Sequence, residues 1–184
     1  SSTHGKPKLL FYDYSCCFFF LQTIAEGNCD LESVKHIFTL CQELIELNLS
    51  CLGDKSMDFL CKNLTNKIEK IDFGSDLRAD QLTVLLKRCS KISELSINCT
   101  CLSDDSVSTI IENLSQSLVK LEIDMEEFSV SNILKLAAMP KLQVLCDPFI
   151  SEHLSDEDKD KIEKRLPAHL KTHLTDKLNI AVPY

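Results

Sequence analysis

One pattern is written several times in this chain, and it leaves few choices of fold. An apolar residue, two others, an apolar residue, one other and a third apolar residue occupy Leu44/Leu47/Leu49, Ile68/Ile71/Phe73, Ile92/Leu95/Ile97 and Leu118/Leu121/Ile123. A degenerate copy follows at Leu142/Leu145, whose third position would be Asp147. Another precedes at Leu21/Ile24, whose third position is Glu26. Successive first positions, from Leu21 onward, are 23, 24, 24, 26 and 24 residues apart.

The second half of each unit has the spacing of a helix with one buried side. Val34, Ile37, Phe38 and Cys41 fall on such a stripe, as do Met57, Leu60, Cys61 and Leu64. So do Leu82, Leu85, Leu86 and Cys89, then Val107, Ile110, Ile111 and Leu114, then Val130, Ile133, Leu134 and Ala137. Asp54, Asp80 and Asp104 stand near the expected helix starts, where a carboxylate can cap free N–H groups and meet the helix dipole. Each unit is thus a short strand, a turn and a helix. One unit alone cannot bury its apolar face, but stacked units bury it against each other. The expected fold is α/β, a leucine-rich-repeat solenoid with parallel strands on the concave face and helices on the convex face.

The repeats span residues 21–150, after an incomplete N-terminal segment, 1–20. "SDEDKDKIEKRLP", from Ser155 to Pro167, predicts a helix that closes the stack over residues 151–167. Ser155 suits the N-cap, acids fill the first turn, bases fill the last, and Pro167 follows the end. The tail, 168–184, reads equally as a short helix through Leu170, Leu174 and Leu178 or as a frayed terminus.

Composition narrows the function. The 184 residues are 44% hydrophobic and 26% charged, with a net charge of −8, which suits one globular core. No Lys/Arg run interrupts the acidic balance, so nucleic acid and anionic membrane are not expected partners. The longest apolar run, "CCFFFLQTIA", is too short to span a bilayer. Of ten cysteines, Cys16-Cys17 and Cys99-Thr100-Cys101 are poorly spaced for bridges. Cys41 and Cys89 each stand three residues before a repeat's first apolar position, as small buried hydrophobes would. Reduced cysteines place the chain in the cytoplasm or nucleus. Sequons at Asn48, Asn63, Asn98 and Asn113 nominally favour secretion, but they recur at matched repeat positions and read as by-products of the repeat.

Chemistry is scarce. Four glycines leave no phosphate-cradling loop, and no nucleophile-and-base order is visible. His169 and His173 in "HLKTH" share a helical spacing but lack the metalloprotease Glu and a third ligand. The chain is therefore expected to be a binding module, not an enzyme, with neither cofactor nor metal. Specificity must lie between the pattern positions, on side chains leaving the concave sheet: Glu46, Asn48 and Ser50; Lys70, Asp72 and Gly74; Glu94, Ser96 and Asn98; Lys120, Glu122 and Asp124. The candidate partner contacts are Glu46, Asn48, Lys70, Asp72, Glu94, Ser96, Lys120 and Glu122. The stripe is mixed but mostly acidic, which suits a basic or polar protein partner as well as a merely solvated face.

"LLKRCSKISELSIN" and "IFTLCQELIELNLS" resemble the units of the F-box/leucine-rich-repeat proteins, in which a helix ends near a Cys shortly before the strand begins. The turns "LSDDSV" and "LGDKSM" are similar to that family's Leu-x-Asp turn, and "ILKLAAMPKLQVL" followed by "KRLP" is most similar to the C-terminal part of one member. The resemblance covers about Leu21 to Pro167. It implies the substrate-recruiting repeat domain of an SCF-type ubiquitin ligase receptor, whose repeats bind the protein to be ubiquitinated. The Skp adaptor would be bound only through an F-box upstream, because the first 20 residues are too few for one; the chain opens on Ser1 and reads as a fragment or processed product. The alternatives are a free-standing intracellular scaffold of the same fold and, with only the sequons behind it, a secreted recognition protein.

Overall fold

A computed structural model of the chain describes residues 19–23, 30–41, 43–49, 52–74, 77–97, 104–123, 128–146 and 154–170. Strand and helix alternate along it: β1 (Phe19–Thr23), α1 (Leu31–Leu40), β2 (Leu44–Leu49), α2 (Asp54–Asn63), β3 (Lys70–Phe73), α3 (Ala79–Arg88), β4 (Glu94–Ile97), α4 (Asp104–Leu114), β5 (Lys120–Ile123), α5 (Val130–Ala137), β6 (Val144–Cys146) and α6 (Asp156–Arg165). The strands form one sheet in the order of the sequence, and every pairing is parallel. Each helix contacts the next along the row, ending with α6 on α5. The protein is thus an α/β stack of repeated units.

The register follows the repeat. Leu47, Ile71, Leu95, Leu121 and Leu145 stand side by side across the sheet. Their flanking pattern residues Ile68, Phe73, Ile92, Ile97, Leu118 and Ile123 are at most 1% exposed, and Leu44, nearer the start of the stack, is 6% exposed. They merge with Met57, Leu60, Leu82, Leu85, Leu86, Val107, Ile110 and Ile133 of the helices into one core. Just before the strands a further backbone chain runs from unit to unit: Glu69 N–H donates to Ile45 C=O, Ser93 to Glu69, Val119 to Ser93 and Gln143 to Val119, at 2.7–2.8 Å. These bonds pair polar backbone groups at the point where each chain enters the buried sheet.

Two expectations need correction. The first repeat is read three residues out of phase. Leu21 pairs with Leu47, the second position of its unit, so it is not a first position, and Thr23 aligns with Leu49. β1 also begins at Phe19 and so crosses the boundary drawn at residues 20 and 21. An apolar run supports several phases equally, and only pairing with β2 selects one.

The second concerns the aspartates. Asp54 and Asp104 are the first residues of α2 and α4, and Asp80 is the second of α3; the N-cap positions of α2 and α3 belong to Gly53 and Arg78. All three stand in the first turn, as expected, and keep the favourable dipole position; Asp80 also meets the backbone N–H of Gln81, while Asp54 and Asp104 reach to other units. Arg78 bonds Asp54 at 3.2 Å, Asp58 at 2.9 Å and Asp80 at 3.1 Å. Asp104 accepts the N–H of Ser129, the N-cap of α5, at 3.2 Å. Beside them lies a buried polar column: Ser56, Gln81, Ser106 and Asn132, each the third residue of its helix. Gln81 accepts from the Arg78 N–H at 3.0 Å and donates to Asp58 in the preceding unit at 2.7 Å. That donation, first, and then the pair with Arg78 hold the Asp58 carboxyl below the ordinary range. At α6 the expectation stands: Ser155 Oγ accepts the Asp158 N–H at 3.2 Å, and Pro167 follows the end.

Cys41, Cys61, Cys89 and Cys146 are in no disulfide and are buried; the other six cysteines lie outside the described residues. Cys41 and Cys89 sit in the core cluster as small apolar residues. Burial pushes the Cys61 thiol up to about 12 and Cys89 up to about 11. No described helix is long and apolar enough to cross a membrane.

Two predictions test the core. Leu95→Ala should destabilise the protein by about 2–5 kcal/mol in urea unfolding, since Leu95 has sheet on both sides and helices beneath; a loss under about 1 kcal/mol would contradict that packing. With its pKa raised to about 12, about one Cys61 in 10⁴ is thiolate at pH 8, so alkylation of the native protein should spare Cys61. The raised value makes the folded state prefer the protonated thiol. Its contribution to stability is intact below about pH 9 and is lost as pH climbs through about 12, so Cys61→Ala should flatten the alkaline decline in stability. Rapid labelling of Cys61 in the folded chain would contradict its burial.

Candidate functional site

Strand alternation sends every second side chain of β2 to β5 away from the helices. The eight candidate residues are all half-buried on that face. They line a single groove of about 370 Å³ across the four strands. Leu47, Ile71 and Leu95 also line it. Their side chains are buried, so they present backbone there. Of the other outward positions expected from the sequence, Gly74 is exposed beyond the end of β3, while Ser50, Asn98 and Asp124 lie outside the described residues.

The parallel register sorts the eight into two rows. Glu46, Lys70, Glu94 and Lys120 are neighbours in one, and their charges alternate. Asn48, Asp72, Ser96 and Glu122 are neighbours in the other, which holds two carboxylates, an amide and a hydroxyl but no cation. Within the alternating row one pair closes, and a second crosses to the other row. Lys70 Nζ lies 2.8 Å from Glu94, and both side chains are about two-fifths exposed. The hydrogen bond to Glu94, first, and then its charge hold the Lys70 ammonium above its ordinary range. Lys120 turns along its own strand to Glu122 at 3.3 Å. Asn48 donates its amide to Asp72 Oδ2 at 3.0 Å.

Such half-exposed pairs contribute little to stability, about 0–1 kcal/mol each. What they supply is position: the pairs hold the long side chains of Lys70, Glu94, Lys120 and Glu122 in place. The sequence-based view of a mostly acidic stripe holds for the balance of four carboxylates against two ammoniums. It misses the segregation into an alternating row and an anionic one. The repeat alignment already places those residues side by side, and the two rows follow once the aligned positions are compared across units.

The other chemistry weighed from sequence lies elsewhere. His169 Nε2 is 2.9 Å from the Leu142 carbonyl oxygen, tying the turn after α6 to the last repeat, and His173 lies outside the described residues. Among the described residues no three His, Cys, Asp or Glu side chains cluster as metal ligands. At the sequons, Asn63 and Asn113 donate to carbonyls one helical turn back, those of Phe59 and Thr109. The Nδ2 of Asn48, the atom a glycan would occupy, is the one that bonds Asp72. No protein-family model matches the chain, and no curated protein matches it.

Proposed function

We propose that this chain is a leucine-rich-repeat solenoid whose strand face, on the concave side, recruits a protein partner. The observation that carries this reading is the groove: eight non-pattern side chains from four consecutive units meet in it, while the pattern residues are buried. Stacking for burial brings residues 76 positions apart, from Glu46 to Glu122, onto one continuous surface, and their variety from unit to unit gives that surface something to read. The acidic excess favours a basic or polar partner surface.

Within that reading, the resemblance to the F-box/leucine-rich-repeat family, and at the C-terminal end to the S-phase kinase-associated F-box protein, favours a substrate-recruiting domain of an SCF-type ubiquitin ligase receptor. The partner would then be a protein destined for ubiquitination in the cytoplasm or nucleus, and the Skp adaptor would be held by an F-box upstream of these residues. Buried cysteines in no disulfide and an Asn48 amide engaged with Asp72 suit that location better than a glycosylated, secreted one.

Charge reversal tests the proposal. Asp72→Lys, Glu94→Lys and Glu122→Lys together should abolish crosslinking to the cellular partner while shifting the unfolding midpoint little, because each side chain is half-exposed. Depleting the protein should lengthen that partner's half-life. Binding that survives the triple change would remove the strand face as the site; binding without any effect on turnover would leave a scaffold and remove the ligase role.

A further inference from the structure

The two rows of the groove differ, and the difference points to the shape of what fits there. We infer that the groove takes an extended, polyproline II-like segment carrying two basic residues three positions apart, laid across the strands along the Asn48–Asp72–Ser96–Glu122 row. The inference rests on the strand-face reading above and specifies its ligand.

Charge selects the row. In the neighbouring row Lys70 and Lys120 stand among the carboxylates and repel an incoming cation. The chosen row holds no cation of its own, although Lys120 reaches in from the neighbouring row to Glu122. Asp72 is bonded through Oδ2 by the neutral amide of Asn48, and that bond does not use Oδ1. Glu122 meets Lys120 through Oε2 at 3.3 Å, and its side chain is about one-third exposed, so Asp72, which faces no ammonium among the described residues, is the stronger of the two anchors. A carboxylate accepts several hydrogen bonds, so each has capacity for an arginine or lysine of a partner.

Spacing selects the conformation. Asp72 and Glu122 sit in register two strands apart, on β3 and β5. With neighbouring strands about 4.8 Å apart, the carboxylates recur about every 9.6 Å. A polyproline II helix rises about 3.1 Å per residue with three residues per turn, so every third side chain returns to the same face after about 9.3 Å. A β-strand repeats its face at about 6.7 or 13 Å and falls out of step. An α-helix, about 10–12 Å across, is too thick for a groove whose size is at the small end of ligand sites. The backbone groups of β2 to β5 are already paired in the sheet, so its face offers side chains alone. Polyproline II needs no backbone partner, because its own polar groups stay in water.

The test uses four capped peptides of equal charge, in which two arginines are separated by one, two, three or four prolines, titrated into the whole chain and followed by amide NMR shifts. The peptide with two intervening prolines, arginines three apart, should bind about 2- to 5-fold more tightly than the others, the gain expected of one additional exposed ion pair. Asp72→Asn and Glu122→Gln, which preserve side-chain shape, should each remove that preference, and added salt should weaken all four. Equal binding of all four, tighter binding at another spacing, no binding, or a preference that survives Asp72→Asn would overturn the inference. The strand face itself fails separately, through the triple charge reversal with the cellular partner. A partner that loses binding in that variant but docks as a helix refutes this ligand and keeps the face.

Discussion

Everything in this structure depends on apolar surface that no unit can bury by itself. A strand of four residues and a helix of ten, such as β3 and α3, would leave the apolar sides that face their neighbours in water if isolated. Placed between β2/α2 and β4/α4, the same residues fall to 2% exposure or less at Ile71, Phe73, Leu82 and Leu85. Burial of this kind contributes about 25 cal/mol per Å² of apolar surface, a term large enough to order the chain only when neighbours supply the other side. The backbone chain through Ile45, Glu69, Ser93, Val119 and Gln143 and the polar column at the helix starts then fix how one unit sits on the next.

The stack has a direct consequence for function. Once each unit is held in register, the side chains that play no part in burial are held in register too. Glu46, Lys70, Glu94 and Lys120 become a row because Leu47, Ile71, Leu95 and Leu121 are a row. The groove is therefore a by-product of the core until its residues differ from one unit to the next. They do: the sign changes at each step of one row, and the other carries no cation of its own and borrows Lys120 at Glu122.

Much of this was legible before any coordinates. The order of strands and helices followed from two periodicities, three-position strands and helical stripes, that a chain of 24- to 26-residue units repeats too often for chance. The eight face residues followed from strand alternation alone. The phase at Leu21 did not, because "CCFFFLQTIA" is apolar at nearly every position and offers no alternation to read. The roles of Asp54 and Asp104 did not either. Local rules make an aspartate near a helix start a cap, whereas here Arg78, 24 residues from Asp54 in sequence, draws Asp54 across units, and Ser129, 25 residues from Asp104, does the same there. The polar column left a signal that could have been found: Ser56, Gln81, Ser106 and Asn132 recur at 25- and 26-residue steps. Asn48 and Asp72 could be placed side by side from the aligned positions, but not the turn of the amide onto the carboxylate.

Native-state hydrogen exchange on the whole chain tests the central claim, that each unit is stabilised by its neighbours. Backbone amides of β3 and β4, which have units on both sides, should be the slowest to exchange, with protection falling toward β1 and β6. Protection that is uniform from β1 to β6, or greatest at either end, would contradict stabilisation by stacking.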